Sequence, residues 1–277
     1  MSSPQKSFIY GREIGFNYLD LKERPKTSTR LKVESFDQLL NNFKASYFAG
    51  ALLVQRQMLI DDLAKFFNNS RWNGEDFMLM INRHVVTPEM FLYRLSELLP
   101  RFFGLKEIAF FRFHSSAAPA KYNLTKMFNL SGVFLPMGIG SKEHHCRRWL
   151  PIQLLKSLAQ NKDSEQKSLP QIAAQRSRFI NLNEEFFTIS LAHGSRLNKA
   201  TNLSGAMCFR INQPFKDTVK FWDDPAIPIM DVNESCERCG LSQALCSDRA
   251  APAAIHQQAQ KIKTREKVLD QLIRDLG

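Results

Sequence analysis

Apolar residues are spaced for helices through the first hundred positions. Between residues 8 and 21, Phe8, Ile9, Phe16 and Leu19 recur with few helix breakers. A basic stretch follows at 22–32, with Pro25 and a Thr/Ser cluster, and reads as a loop. Ser35 stands where an N-cap belongs, ahead of helical spacing over 36–54. Residues 58–67 repeat the pattern, and Asn68-Asn69-Ser70 and Asn73-Gly74 read as turns. Thr87-Pro88-Glu89 supplies a cap, a first-turn proline and an acid facing the helix dipole. That helix should end near Pro100 or Gly104.

The texture then changes to β-branched and aromatic runs. Strands are expected over 108–113, 185–192 and 204–211, with a helix at 149–159 and a polar surface loop at 160–167. A proline-rich connection at 223–228 leads into a cysteine-bearing segment. In the final stretch, 255–276, Ile262, Leu269 and Leu276 recur every seventh residue, beside Val268, Leu272 and Ile273. This predicts an amphipathic helix packed on the body, with a short dimer-forming coiled coil as the alternative. The expected fold class is α+β: a helical domain over 1–104, a domain with an antiparallel sheet over 105–254 and a terminal helix over 255–277.

Composition narrows the class of protein. The 277 residues are 44% hydrophobic, enough for a packed core. No apolar run approaches the roughly 20 residues of a bilayer span. The start, Met-Ser-Ser-Pro-Gln-Lys-Ser, has no long apolar segment behind it and does not read as a secretory signal. Five cysteines are too few for a disulfide scaffold, so a cytoplasmic protein is expected. The net charge of +11 suits an anionic partner without naming it. The basic residues are spread along the chain, with no single stripe to favour direct nucleic-acid binding.

The first helix contains Arg12-Glu13-Ile14-Gly15-Phe16. In a zinc peptidase helix of the form HExxH, histidines at the first and fifth positions share one face and hold the metal, while the Glu acts on bound water. Here both histidine positions hold residues that cannot ligate zinc. A second segment, Ala45-Ser46-Tyr47-Phe48-Ala49-Gly50-Ala51-Leu52-Leu53, resembles the second helix of ImmA/IrrE-type metallopeptidases. In that family an acidic third ligand precedes the run, whereas this chain has Asn42, Phe43 and Lys44. The resemblance implies a peptidase-like scaffold without its metal and without catalysis, so no enzyme is expected. His84 and His193-Gly194-Ser195 lack a nucleophile frame, and Gly138-Ile139-Gly140 lacks the rest of a phosphate-binding fingerprint and reads as a turn.

The cysteines form the second constellation. Cys236-Glu237-Arg238-Cys239 is a CxxC, Cys246 follows closely, and Cys146 lies far upstream in Glu143-His144-His145-Cys146-Arg147-Arg148-Trp149. A CxxC turn curls the backbone so that two sulfurs face one ion or cluster. Three clustered thiols and a distant fourth are the count for a four-thiolate site. A 4Fe–4S cluster, a zinc site using His144 or His145, a redox disulfide and chance clustering are the readings, with the cluster foremost. Cys208, inside an expected strand, fits a small core residue.

The run from Cys236 to Cys239, continued by Cys246-Ser247-Asp248-Arg249-Ala250-Ala251-Pro252, is similar to the C-terminal cysteine signature of XRE-type transcriptional regulators of short-chain fatty acid metabolism, which govern propionate, methylcitrate or glyoxylate pathways. Cys146-Arg147-Arg148-Trp149 looks like their upstream Cys-Pro-x-Trp element, with Arg-Arg where Pro is usual. Lys121-Tyr122-Asn123-Leu124-Thr125-Lys126 looks like their Asn-Ile-Ser-Lys segment. The resemblance implies a sensor with a PAS/GAF-like sheet half, Cys146, Cys236, Cys239 and Cys246 as ligands, and an acyl-CoA-type metabolite as effector. Arg112, Lys121, Lys126, Arg147 and Arg148 are the basic residues expected at its phosphates. DNA would be reached only through a helix-turn-helix module. No segment here reads as one, so the chain is expected to be a piece of a longer protein or one that has lost its DNA reader.

Overall fold

Six strands make one mixed sheet: β1 (Ile108–Ser116), β2 (Tyr122–Asn129), β3 (Gln171–Phe179), β4 (Glu184–Gly194), β5 (Thr201–Arg210) and β6 (Ile229–Val232). Their order is β2-β1-β5-β4-β3-β6. All neighbours are antiparallel except β3 and β6, which run parallel. The computed structural model describes residues 3–24, 35–116, 121–130, 139, 143–160, 170–180, 182–195, 201–250, 252 and 254–276. Most of the basic stretch, Gly138 and Gly140, and 161–167 of the expected polar loop lie outside the described residues.

The central strands alternate with period two and are buried on both faces, because helices cover each face. Ile108 and Phe110 of β1, Phe187, Ile189 and Leu191 of β4, and Met207 and Phe209 of β5 belong to one core. The same core takes in Leu59 and Leu63 of α3 (Arg56–Phe67), Phe77 of α4 (Gly74–Arg83), and Phe91, Leu92 and Leu99 of α5 (Pro88–Phe102). The boundary expected at 104 therefore falls between two elements that share a core. The intervening positions Ala109, Phe111, Phe113, Phe186 and Cys208 face the other way, onto Trp149 and onto Ile152 and Leu155 of α6 (Leu150–Gln160).

Local chemistry sets the helix starts. Ser35 accepts from the Gln38 N–H, Thr87 from Met90, and Asn73 from both Glu75 and Asp76. Asn73-Gly74 is thus the start of a helix rather than the expected free turn. A Cβ on Gly74 would stand 2.9 Å from Ile172 Cγ2, so this glycine lets the first turn of α4 close on β3.

Helix α1 (Ser3–Tyr18) lies along α2 (Phe36–Leu53). Gly11 meets Ala49 and Gly15 meets Phe48, so close that an added Cβ would lie 3.1 and 3.0 Å from them. A short helix α7 (Gln213–Thr218) follows β5, and α8 (Ala254–Leu276) ends the chain. The expectation that this last helix packs on the body is corrected: side chains 257–275 are all exposed. Its exposed side chains include Ile262, Val268, Leu269, Leu272 and Ile273. Among the described residues, no helix is long and apolar enough to cross a membrane.

Candidate metal centre

The parallel pairing of β6 with β3 carries the chain to Asn233, whose carbonyl accepts from Trp149 Nε1 at 2.8 Å. Beyond it, segments far apart in sequence meet in an antiparallel bridge between His145 and Ser235. The Cys146 N–H donates to the Glu234 carbonyl at 3.2 Å, and the Cys236 N–H to the His144 carbonyl at 2.9 Å. Charged side chains reinforce this seam from outside. Arg238 donates to both carboxylate oxygens of Glu143, at 2.7 and 2.8 Å, and to Glu234 at 2.8 Å. His144 meets Glu237 at 2.7 Å. Lys156 of α6 pairs with Asp248 at 2.7 Å, two residues beyond the third clustered cysteine.

The bridge places Cys146 beside the CxxC. Burial, with a smaller push from the neighbouring Cys236 and Cys239 and against two backbone contacts that lower it, takes the Cys146 thiol up to about 11. Burial likewise raises Cys236, while backbone contacts from Ala250 and Arg147 oppose the rise. The Ala250 contact seats the segment after Cys246 against the same thiol. Cys146, Cys236, Cys239 and Cys246 are 3%, 2%, 3% and 6% exposed, and none is in a disulfide. Among the described residues, no three His, Cys, Asp or Glu side chains stand close enough together to hold a metal ion. The donor set fits a thiolate-ligated group in kind, and the spacing is more open than ligation requires.

His145 borders this site. Its ring packs on Phe113 and Trp149, burial and Arg147 lower its pKa to about 4, and its buried Nδ1 lacks a hydrogen-bond partner among the described residues. It is therefore a neutral imidazole with a nitrogen to spare. Cys208 is elsewhere, on β5 under α6, where burial pushes its thiol up to about 12 and Thr188 donates to it at 3.4 Å. It lines an apolar cavity of about 20 Å3 with Phe111, Trp149, Phe179 and Phe186, room for no more than a water-sized guest.

The five basic residues expected around a phosphate-bearing ligand do not gather in one pocket. Arg112 donates to Glu89 at 2.6 Å and to Thr125 at 3.0 Å, on the α5 side of the sheet. Lys126 lies 4.0 Å from the centre of the Tyr93 ring, its pKa lowered by burial. Arg147 stacks over Tyr122 at 4.4 Å, and Arg148 donates to Met230 Sδ at 3.0 Å, on the α6 side. Lys121 is exposed at the start of β2.

In the peptidase-like frame, Arg12 and the buried Phe16 share a face of α1, and the Arg12 guanidinium donates to Asn42 Oδ1 on α2. Glu13 points outward to Arg24 at 3.1 Å. Sequence reasoning missed Asn233, Glu234 and Arg238, which hold the cysteine seam. Their partners lie on a distant segment, and no spacing in the sequence signals them. Neither protein-family models, nor curated proteins, nor solved structures give a match to this chain.

Proposed function

We propose that this chain is a non-enzymatic sensor domain built around a thiolate-ligated group held by Cys146, Cys236, Cys239 and Cys246. The observation that carries the reading is the bridge that sets Cys146 beside Cys236 and Cys239 as buried thiols outside any disulfide. Burial and the neighbouring thiols disfavour the thiolate of Cys146, and a bound cation that takes the sulfurs as thiolates reverses that balance. A 4Fe–4S cluster is the leading candidate, since four thiols satisfy its ligation.

Zinc is the second reading, and one observation favours it: the unpartnered Nδ1 of neutral His145 beside Cys146 suits a mixed Cys/His site. The antiparallel order β2-β1-β5-β4-β3 supports a PAS/GAF-like sensor half. The resemblance of the cysteine signature supports a metabolite-sensing part of a transcriptional regulator, with an acyl-CoA-type effector and DNA contacted through a separate module. The exposed apolar stripe of α8 supports pairing of two copies. Effector and metal state would each act by preferring one of two domain arrangements.

Anaerobic purification, a visible spectrum and metal analysis test this reading. Broad visible absorbance with about four irons per chain supports the cluster. Stoichiometric zinc without colour selects the alternative, and a metal-free protein overturns both. Cys239→Ser should lose the metal and Cys208→Ser should keep it. Thermal shift with acyl-CoAs of varied chain length tests the effector, and no shift with any of them removes it.

A further inference from the structure

A groove of about 410 Å3 runs between α2 and α5 and ends at the first turn of α3. Tyr47, Gln55, Arg56, Arg94, Arg101 and Phe102 line it. Its volume is within the range of small-ligand sites. It lies apart from the cysteine seam, and three features of its wall point to an anion.

The first is a pair of arginines on one ring. The guanidinium carbons of Arg56 and Arg101 lie 5.7 and 5.6 Å from the centre of the Phe102 ring, which is 40% exposed. Neither arginine pairs with a carboxylate among the described residues. Arg112, Arg176 and Arg178 do, on Glu89, Glu185 and Asp231.

The second is the start of α3. Gln55 occupies the N-cap position and its side chain makes no capping hydrogen bond. The N–H groups of this first turn, at the positive end of the helix dipole, border the groove beside Arg56.

The third is the floor. The Arg94 side chain is only 4% exposed and donates through one terminal nitrogen to Glu97 at 2.5 Å, beneath the Tyr47 ring. Its buried Nε has no acceptor among the described residues. An arginine nitrogen buried without an acceptor is costly, and it signals that the wall is built for an acceptor it does not itself supply. Glu97 answers Arg94 within the wall, so Arg56 and Arg101 leave the groove net basic.

We infer that this groove binds a small phosphorylated ligand with a planar aromatic part, of the nucleoside diphosphate kind. The phosphates lie on Arg56, Arg101 and the first turn of α3, and the ring system lies against Phe102 and Tyr47. Planar guanidinium forks hold phosphate oxygens in pairs, and the two partly exposed rings give the flat part of the ligand its apolar contact.

Isothermal titration calorimetry on the full chain, with ADP and with pyrophosphate as separate probes, tests this. ADP should bind, at least tenfold more tightly than pyrophosphate. Arg56→Ala/Arg101→Ala should weaken both probes at least tenfold. Both arginines are exposed, so this variant should melt like wild type. Phe102→Ala should erase the advantage of ADP over pyrophosphate. Ala51→Glu, which places a carboxylate on the groove wall, should weaken both probes without removing any ring. Cys239→Ser should bind ADP as wild type does, which separates this inference from the metal reading. No ADP binding to wild type, unaltered binding to the double arginine variant, or equal affinities for ADP and pyrophosphate would each overturn it.

Discussion

Arg12 of α1 donates through its guanidinium to Asn42 of α2, across the seam where a zinc peptidase of the resembled type would place metal ligands. Burial lowers the Arg12 pKa, and its buried Nε has no partner among the described residues. The contact ties two helices whose packing is otherwise Gly11 and Gly15 on Ala49 and Phe48. Asn42→Ala would leave a second guanidinium nitrogen without an acceptor and should cost about 1–3 kcal/mol. Arg12→Leu/Asn42→Leu should cost less than the sum of the two single changes, because both unpaired groups vanish together. Urea unfolding of the four proteins measures this coupling, and strict additivity would show that the contact contributes nothing.

Much of the helical half was legible because capping is local. Thr87-Pro88 and Ser35 do what their residue types allow within one turn. The runs in β4 and β5 were legible because strands covered on both faces read as apolar stretches. Strand β3 was not, since it offers Ala173 and Ala174 in place of large apolar residues, and Arg176 and Arg178 pair with Glu185 and Asp231. The Cys146–Cys236 approach was not legible either. It depends on β6 pairing with β3 and on one bridge between distant segments. The groove at Arg94 escaped for the same reason, because its wall comes from three helices.

Arg238 offers a way to loosen the cysteine seam without touching a thiol. It reaches Glu143 and Glu234 from the outside of the bridge, and its side chain is 46% exposed. Partly exposed ion pairs contribute little to stability, so Arg238→Ala should change it by less than about 1 kcal/mol. The two segments should nevertheless open more readily. On the proposed metal site, the variant should release metal to a chelator faster than wild type while melting at nearly the same temperature. Unchanged release would show that the bridge alone holds the segments.

His84 gives the protein a specific acid sensitivity. It is buried against Phe91, with Asp62 Oδ2 at 3.7 Å and Arg83 beside it. Burial lowers its pKa from the ordinary 6.5, Asp62 partly opposes this, and Arg83 adds to it. The folded state therefore binds the proton less readily than the unfolded chain. This contribution to stability is fully present above about pH 6.5 and is lost as pH falls below that value toward the lowered folded pKa. His84→Gln should show a shallower loss of urea midpoint between pH 7.5 and 5 than wild type. Parallel pH profiles would remove His84 as a cause.

Helix α8 makes the clearest claim about assembly. Ile262, Val268, Leu269, Leu272 and Ile273 are about half exposed or more, on a helix that buries none of its described side chains. Most helical stability in proteins comes from packing an apolar face, and an exposed stripe of large apolar side chains favours a partner. Its charges fit the proposed pairing with a second copy. Lys261, Lys263, Arg265 and Lys267 outnumber Glu266 in the first half, whereas Asp270 and Asp275 outnumber Arg274 in the second. Two copies running antiparallel set the basic half of each against the acidic half of the other and bury both stripes. Light scattering after size exclusion should report a dimer at micromolar concentration, weakened by salt. Leu269→Asp/Leu272→Asp should yield a monomer whose body melts as before, because α8 contributes no described side chain to the body's core. A monomeric wild type would refute the pairing, and a dimer that survives the double substitution would place the interface away from α8.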